Sequence, residues 1–340
     1  MASQESHTRA LPDFYQLIDA QRSLAVNFHA ASPDQARSLR SKTLLVTGGA
    51  SGLGEAFATA FAKQPQAAVI IADRDALKGK SVERSLNEAG HVVKFIQVDV
   101  ADWDSVTNLF AESLRWLSGI DKGRTIDHVI CSAGLEGEQL DLDPVDPEEF
   151  LEGRTEARPP NSLSIQVSVI GTLYTVSAAM RYGLGLHRLG PEMGDKSITL
   201  LASLAGYLGM YLRSDYTASK WGVRGLFRSL LDDSKAASCP VRINLLAPYF
   251  VATPLTAHLV PYMHKIGIKL AELDDVQVAA MRLMSDESIH GRAVGVWQGG
   301  PIDLGDDFGG GFGSDALRQG VEAGALVRSS TFVSQKRAKQ

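Results

Sequence analysis

The sequence predicts a single α/β domain built on a doubly wound parallel sheet of seven strands. Short apolar runs of strand length alternate with segments of helical periodicity along most of the 340-residue chain, which is typical of βαβ units. The apolar runs lack polar alternation, as expected for strands that are covered on both faces. A glycine-rich turn joins the first strand to the first helix, which is where such sheets bind ligands.

Each predicted strand is an apolar run bounded by glycine, proline or polar residues. In chain order the strands are TLLVT (43–47), AVIIAD (68–73), VVKFIQVDV (92–100), IDHVICSAG (126–134), KSITLLASL (196–204), VRINLLAP (241–248) and RAVGVWQGG (292–300). Helical periodicity between them predicts a first helix directly after the glycine-rich turn and further helices at 76–90, 105–119, 162–183 and 215–236.

Three segments depart from this alternation. Residues 1–40 are polar and form an N-terminal extension, and residues 306–340 form a flexible C-terminal tail. Residues 136–161 are acidic and rich in proline, which predicts an irregular excursion on the surface. We therefore expect one catalytic domain at 41–305 with two appendages.

The composition excludes several classes of protein. The net charge is −5 and basic residues are scattered, so no nucleic-acid partner is expected. No run of 18 apolar residues occurs and the N-terminus has no apolar signal core, which predicts a soluble cytoplasmic protein without a membrane partner. Cys131 and Cys239 lack metal-type spacing and are expected to be reduced structural thiols. The eight histidines form no ligand motif, so no metal site is predicted.

The turn TGGASGLG (47–54) predicts a dinucleotide-binding loop of the Rossmann type. Glycines there permit positive φ angles and let the backbone approach a pyrophosphate at a helix N-terminus. The spacing of Gly48, Gly52 and Gly54 is one residue looser than GxGxxG. The alternative is a purely structural turn.

Asp73 ends the second strand, about 20 residues after the loop, where a carboxylate accepts a hydrogen bond from the ribose 2′-hydroxyl of NAD. The same charge repels the 2′-phosphate of NADP, although the neighbouring Arg74 weakens this discrimination. We therefore predict NAD as cofactor, with NADP the less favoured choice. The alternative is an aspartate that only caps the next helix.

Tyr216 and Lys220 are four residues apart in DYTASKW, so their side chains share one face of a helix. Tyrosine, with an ordinary pKa of about 10, is a poor base at neutral pH. A cation on the same face favours the phenolate, and the positive nicotinamide ring of the oxidised cofactor adds to this effect, so we predict that Lys220 lowers the pKa of Tyr216 and, with the cofactor, makes it a general base. The alternative is a pair on a solvated helix face.

Several motifs in this order resemble the short-chain dehydrogenase/reductase family. They are TGxxxGxG at 47–54, Asp99 in QVDV, CSAG at 131–134, Ser203 thirteen residues before Tyr216, YxxxK at 216–220 and PxxVxT at 248–253. Within the family, the YTASKWGVRGL run and the long C-terminal extension resemble fungal hydroxyprostaglandin-dehydrogenase-like and hydroxyaverantin-dehydrogenase-like members.

The resemblance implies a set of site residues. Ser203 polarises the reacting oxygen, Tyr216 is the acid/base, Lys220 reaches the nicotinamide ribose, and Ser168 stands at the position of a water-holding asparagine. The implied cofactor-binding residues are Thr47, Gly48, Ser51, Gly52, Leu53, Gly54, Asp73, Arg74, Asp99, Val100, Ser132, Ala133, Gly134, Tyr216, Lys220, Pro248, Val251 and Thr253.

The chain departs from the family pattern in three places. Cys131 and Ser132 replace asparagines in a turn that acts mainly through its backbone. Ser168 replaces the relay asparagine, so either it holds the relay water or it has no chemical role. Tyr249 replaces a glycine after Pro248, and its side chain is expected to line the substrate pocket or alter the pose of the cofactor.

The first functional hypothesis is an oxidoreductase that transfers a hydride between NAD(H) and an apolar secondary alcohol or ketone in secondary metabolism. Substrate segments are expected near 135–161 and 254–270, with apolar residues 204–212 beside them. Two alternatives remain: a non-redox cyclase, isomerase or dehydratase on the same scaffold, and a cofactor-sensing protein without turnover. By the family resemblance, we also expect a homodimer or homotetramer.

Overall fold

The computed structural model describes Val26, Phe28 and residues 35–154, 159–186, 194–210, 213–236, 241–265 and 267–305. The predicted tail at 306–340, Cys239 and most of the extension at 1–40 lie outside the described residues. Cys131 is buried, and it is not bonded to another cysteine within the described part of the chain.

A doubly wound, mostly parallel sheet forms the centre of the domain, which confirms the predicted fold class. The strands are β1 (Thr43–Thr47), β2 (Ala68–Asp73), β3 (Val92–Gln97), β4 (His128–Cys131), β5 (Lys196–Leu201), β6 (Val241–Pro248), β7 (Ala293–Trp297) and β8 (Gly300–Asp303). Their order across the sheet is β3-β2-β1-β4-β5-β6-β7-β8.

The described residues form eight strands, where the sequence predicted seven. The predicted strand at 292–300 corresponds to β7, and its last residue begins β8, which continues to Asp303 and pairs antiparallel with β7, with Trp297 opposite Gly300. Gly299 adopts a φ of +99° and Gly300 a φ of +98°, and these left-handed conformations let the chain reverse direction in a tight turn. The run of apolar residues concealed this reversal because both halves are strand-like.

Helices cover both faces of the sheet. They are α1 (Gln35–Ser38), α2 (Gly52–Ala62), α3 (Ala76–Glu88), α4 (Trp103–Ile120), α5 (Pro147–Leu151), α6 (Leu163–Gly183), α7 (Ser214–Ala236), α8 (Val260–Lys265) and α9 (Leu273–Ser285). The predicted long helices at 162–183 and 215–236 are thereby confirmed as α6 and α7.

Two apolar layers fix the helices on the sheet. Phe110 of α4 and Phe227 of α7 are fully buried on one face, and Phe57 and Phe61 of α2 are fully buried on the other. Burying each aromatic ring stabilises the fold by roughly 1.5–3 kcal/mol. The sheet is therefore a rigid platform for the groups at its carboxyl edge.

Helix α6 also satisfies the length and composition expected of a membrane span, with a mean hydropathy of 1.4 over its best window and 44% of that window buried. Its Val176, Ala178 and Ala179 are buried in the apolar layer beside β4 and α4. A core helix satisfies the same criterion, so this is weak evidence for a span.

The strand order reverses between β1 and β4, and this reversal positions the site. The chain proceeds from β1 outward to β3 and then returns to β4 on the other side of β1. The connections diverge at this point and leave a crevice above the carboxyl ends of the two strands, which is where doubly wound sheets bind ligands.

Candidate active site

A cleft of about 390 Å³ occupies this crevice. Every predicted cofactor-binding residue except Thr47 lines it, as do Ser203 and Tyr249. Leu135, Pro254, Leu255 and Thr256, from the predicted substrate segments, also line it, and the lining residues not named from the sequence are Ala50, Asp75, Lys78, Val98, Val167, Leu201 and Ala202. The cleft thus brings together residues from most of the chain between Gly48 and Thr256.

The glycine-rich turn forms one wall of the cleft. Two of its glycines pack against neighbouring backbone so closely that side chains would not fit there. Gly48 has a φ of +66°, and a Cβ at that position would lie 2.8 Å from the Cα of Ala133. A Cβ on Gly54 would lie 2.1 Å from the carbonyl oxygen of Gly48. Ser51 precedes α2 without a capping bond from its side chain, so the first backbone N–H groups of the helix are available to an anion.

Thr47 supports this wall rather than lining it. Its Oγ1 accepts hydrogen bonds from the backbone N–H groups of Ser132 and Ala133, at 3.2 and 3.3 Å. The buried hydroxyl therefore ties the end of β1 to the turn after β4. Cys131 and Ser132 leave that backbone contact intact, which agrees with the expectation that the substitutions in this turn change little.

Asp73 is half-buried at the end of β2 and holds the turn in place. One carboxylate oxygen accepts from the N–H of Ala50 and the other from the N–H of Asp75, each at 3.0 Å. Each carboxylate oxygen has a second lone pair, so both remain able to accept from a ligand in the cleft. The position therefore suits recognition of a ribose hydroxyl.

The charges around Asp73 are mixed. Arg74 is exposed, and Lys78 forms an ion pair with Asp75 at 3.2 Å. Asp99 is exposed at the same end, where its carboxylate accepts from the N–H of Ala101 at 2.9 Å. This end of the cleft therefore combines backbone donors with three carboxylates and two cations.

Tyr216 and Ser203 meet at the opposite end of the cleft. Burial of the phenol raises the pKa of Tyr216; a side-chain hydrogen bond with Ser203 opposes this, and the carboxylate of Glu136 raises the pKa further. The hydroxyl of Ser203 also lies 3.1 Å from the carbonyl oxygen of Pro248, to which it donates. Ser203 is thus fixed between the tyrosine and the end of β6.

The predicted lowering of the Tyr216 pKa by Lys220 is wrong for the protein by itself. The Lys220 ammonium lies 5.5 Å from the centre of the Tyr216 ring and donates instead to the carbonyl oxygen of Leu201 at 3.1 Å. Burial removes the phenol from water and destabilises the phenolate, and the distant Lys220 ammonium does not offset this effect. Burial also lowers the pKa of Lys220, to about 8.

Ser168 lies beside Lys220 at the floor of the site. It is buried in a π-helical turn of α6, Gln166–Ile170, and its hydroxyl has no hydrogen-bond partner in the described structure. A Cβ built on Gly134 would lie 3.4 Å from the Lys220 ammonium and 3.5 Å from the Ser168 hydroxyl. Gly134 thereby leaves a polar niche between the two side chains.

The remaining wall is mainly apolar. Leu135, Val167, Pro254 and Leu255 line it, and Tyr249 joins them with its ring in edge contact with Phe250 at 4.8 Å. The predicted substrate segments are only partly described, because residues 155–158 and 266 lie outside the structure's description. Of 204–212, residues 204–210 are described.

Sequence reasoning placed Glu136 within a predicted substrate segment but did not single it out. Its carboxylate lies near Tyr216, Arg213 and His258, yet in the sequence it is one of many acids in the excursion after β4. The only available signal was its position, two residues after the CSAG turn.

Comparisons with known proteins identify the family of the chain. Residues 42–263 match the family described as short chain dehydrogenase. The chain is 35% identical over 294 residues to a 5′-hydroxyaverantin dehydrogenase of Dothistroma septosporum, covering 82% of this chain and 92% of the relative. It is 30% identical over 264 residues to the NADP-dependent dehydrogenase M3 of a Phoma species, covering 75% and 74%.

Solved structures share this fold. A 3-ketoacyl-(acyl-carrier-protein) reductase from Brucella melitensis, solved with NADH, superposes with a TM-score of 0.60 at 24% identity, over 76% of this chain and 97% of that chain. The predicted resemblance, including its fungal hydroxyaverantin-dehydrogenase-like branch, is confirmed by the matching family and relatives. The chain therefore belongs to the short-chain dehydrogenase family.

Proposed function

We propose that the protein is a cytoplasmic, NAD-dependent dehydrogenase that interconverts an apolar secondary alcohol and its ketone in secondary metabolism, with Tyr216 as the general acid/base. One observation carries this proposal. Ser203, Tyr216 and Lys220 converge at one end of the cleft whose other end is formed by the glycine-rich turn and Asp73. A binding protein would need the second feature but not the first.

The residues present fit a dinucleotide. The cradle at Gly48 and Gly54 is closed to side chains, the first turn of α2 has no side-chain cap at Ser51, and Asp73 faces the same cleft. We propose that these groups hold the pyrophosphate and adenosine ribose, with Asp99 and Val100 beside the adenine. When bound, the nicotinamide exchanges a hydride with the carbinol carbon of the substrate.

The protein's own part in the reaction is to move a proton. Ser203 orients the reacting oxygen by a hydrogen bond, and Tyr216 gives a proton to it during reduction or takes one during oxidation. Burial keeps Tyr216 protonated, which prepares it as a proton donor to a ketone. Lys220 holds a positive charge beside it at pH values below about 8.

Ser168 is proposed to pass the proton onward through a water molecule. Its buried hydroxyl has no partner in the described structure, and buried polar groups are usually satisfied by protein or water. The niche beside Lys220 and Gly134 provides the site. The alternative, a serine without a chemical role, would leave this hydroxyl unsatisfied in the complex with cofactor.

The choice of NAD rests on Asp73, whose carboxylate lies at the cleft and would repel a 2′-phosphate. Lys78, the nearest lysine of the lining, is already paired with Asp75. Arg74 opposes this preference because its exposed guanidinium suits a phosphate, and the Phoma relative is named as NADP-dependent. A direct comparison of the two cofactors decides between these influences.

An apolar substrate is supported by the wall that contains Leu135, Val167, Tyr249 and Leu255. A homodimer or homotetramer is supported by α6 and α7, which expose Leu173 and Trp221 on their surfaces. Large apolar side chains on neighbouring helices favour association with a second copy.

The test is an absorbance assay in the near-ultraviolet band of NADH, with NAD and a panel of apolar secondary alcohols, and with NADH and the matching ketones. Substrate-dependent change in this band is expected with NAD(H) and is expected to be weaker with NADP(H). Product formation without any change in cofactor absorbance would refute the proposal in favour of a cyclase, isomerase or dehydratase.

A further inference from the structure

Glu136 joins three segments around the mouth of the cleft. It lies in the loop after β4, and its Oε1 accepts a hydrogen bond from Nη2 of Arg213 at 2.7 Å. The same oxygen lies 3.1 Å from Nε2 of His258. Arg213 directly precedes α7, and His258 belongs to residues 252–265, which we term the flap. One carboxylate oxygen therefore contacts basic side chains from two other segments.

The loop that carries Glu136 is packed closely on the catalytic helix. A Cβ on Gly137 would lie 1.9 Å from Oδ1 of Asp215 and 2.6 Å from the backbone nitrogen of Tyr216. Asp215 is buried, and its Oδ1 in turn accepts from that N–H at 2.6 Å. The position of Glu136 is thus fixed relative to Tyr216, and its carboxylate contributes to the raised pKa of the phenol.

The flap is anchored at its base and reaches across the cleft. Val251 pairs with Ala271, and the N–H of Ala271 donates to the carbonyl oxygen of Phe250 at 2.8 Å. Beyond this base, Pro254 and Leu255 line the cleft, and the contact of His258 with Glu136 joins the flap to the opposite wall.

We propose that Glu136 is a positioning residue that holds the flap against the start of α7 and so closes the substrate side of the cleft beside Tyr216. This inference rests on the proposed dehydrogenase function only for its kinetic readout. The charged and titratable groups that face Glu136 are Arg213, Asp215 and Tyr216 from the start of α7 and His258 from the flap.

The partial exposure of Glu136, Arg213 and His258 predicts that their contacts affect substrate affinity more than global stability. The side chains of Glu136 and Arg213 are 29% and 26% exposed, and that of His258 is 54% exposed. Ion pairs at such positions contribute little to global stability. Their loss is therefore expected to change substrate affinity through the flap and to leave the fold intact.

The first experiment is Glu136→Gln, which keeps the shape of the side chain and removes its charge. KM for the alcohol is expected to rise about three- to tenfold, the range that one or two partly exposed ion pairs supply, with kcat little changed. The rise of the oxidation rate with pH should also occur at lower pH, because a negative charge that raises the pKa of Tyr216 is gone.

Glu138→Gln is the matched control, because Glu138 is exposed and does not line the cleft. It makes the same change of charge two residues away and should leave both KM and the pH profile as in the wild type. An equal rise in KM for the two variants would refute the proposal, since the effect would then come from net charge.

His258 tests the other side of the contact. His258→Ala should raise KM on its own but add little in the Glu136→Gln background, since coupled residues are non-additive. His258→Lys supplies a cation that can pair with Glu136 and should keep KM near the wild-type value. Full additivity of the two losses would show that Glu136 does not act through the flap.

Hydrogen exchange provides a readout that needs no turnover. Backbone N–H groups of the flap, such as that of Met263, which donates to the carbonyl oxygen of Leu259 at 2.9 Å, should exchange faster in Glu136→Gln than in the wild type or Glu138→Gln. Amides of β1 and β4 should not change. If the wild type showed no redox turnover, the proposed function would fail while this measurement still decided the role of Glu136. Unchanged exchange in the flap of Glu136→Gln would overturn the positioning role proposed for Glu136.

Discussion

The two ends of the cleft are built in different ways. The cofactor end consists of backbone groups and exposed charges at the ends of β1, β2 and β3, with Asp73 held by two backbone N–H groups. The reaction end consists of side chains from separate elements: the half-buried Ser203 after β5 and Tyr216 on α7, and the buried Lys220 on α7 and Ser168 on α6.

This difference affects how each end responds to substitution. A backbone cradle is damaged when an added atom occupies its space, so small residues matter most there. A buried cluster of ionisable groups is damaged when one group is removed, because its neighbours lose a partner in surroundings with little water. Four substitutions test this contrast, beginning with the largest expected effect.

At the reaction end, Tyr216→Phe removes only the hydroxyl. Turnover is expected to fall about 100- to 10,000-fold, the usual contribution of a general acid/base, because no other described side chain is placed to exchange the proton. Affinity for NADH, measured by fluorescence titration, should change little, since the ring remains beside Lys220.

Tyr182→Phe is the matched control, because Tyr182 lies on the exposed end of α6. It should keep wild-type turnover. Substantial turnover in Tyr216→Phe would contradict the assignment of the acid/base and would direct attention to Ser203 or to a water molecule.

At the cofactor end, Gly54→Ala adds one methyl group 2.1 Å from the carbonyl oxygen of Gly48. Overpacking of this kind costs about 1–3 kcal/mol, which corresponds to about 5- to 150-fold weaker NADH binding if the loop must move away from the pyrophosphate. Gly119→Ala in α4 is the control, because its Cβ meets nothing within 4 Å. Equal NADH affinity in both variants would show that the turn does not cradle the phosphates.

The same contrast decides how much the sequence predicted. The glycine turn and Asp73 follow local rules of strand, turn and helix, so short motifs predict both their existence and their place at the sheet edge. The pairing of Tyr216 with Lys220 was predicted as a shared helix face, and they share the site, but the direction of the Tyr216 pKa shift was wrong. Burial depends on the complete fold, and periodicity on one helix does not report it.

Two further features depended on contacts distant in sequence. Glu136 acquires its environment from Arg213 and His258, which lie 77 residues or more away, so its neighbours in the sequence carry no signal. The additional strand β8 depends on a reversal of the chain after β7, which positive φ angles at Gly299 and Gly300 permit. The glycines were visible in the sequence, but the apolar run around them favoured one continuous strand.

Buried charge at the reaction end should also appear in the pH dependence of stability. The pKa of Lys220 is lowered from 10.5 to about 8 by burial, so between these values the unfolded chain binds more protons than the folded one. Unfolding then takes up a proton, and the free energy of unfolding rises with pH across this window. The expected gain is roughly 2 kcal/mol between about pH 8 and 9.5.

The measurement is urea unfolding of the wild type and of Lys220→Met across this range. The variant lacks the titrating group, so the difference between the two curves cancels the other groups and should show the rise only in the wild type. Parallel curves would mean that Lys220 is more hydrated than the structure indicates.

The smallest effect is expected at the exposed charges of the cofactor end, where Asp73→Asn tests selectivity. The substitution removes the negative charge that faces a 2′-phosphate and leaves Arg74 and Lys78 in place. The ratio of NADP affinity to NAD affinity should rise about tenfold, which corresponds to 1.4 kcal/mol. The ratio of affinities is measured because the substitution also loosens the contacts of Asp73 with Ala50 and Asp75. That loosening weakens the binding of NAD and of NADP alike. Asp99→Asn, at the same end, should leave the ratio unchanged, and an equal rise there would assign the effect to general electrostatics rather than to Asp73.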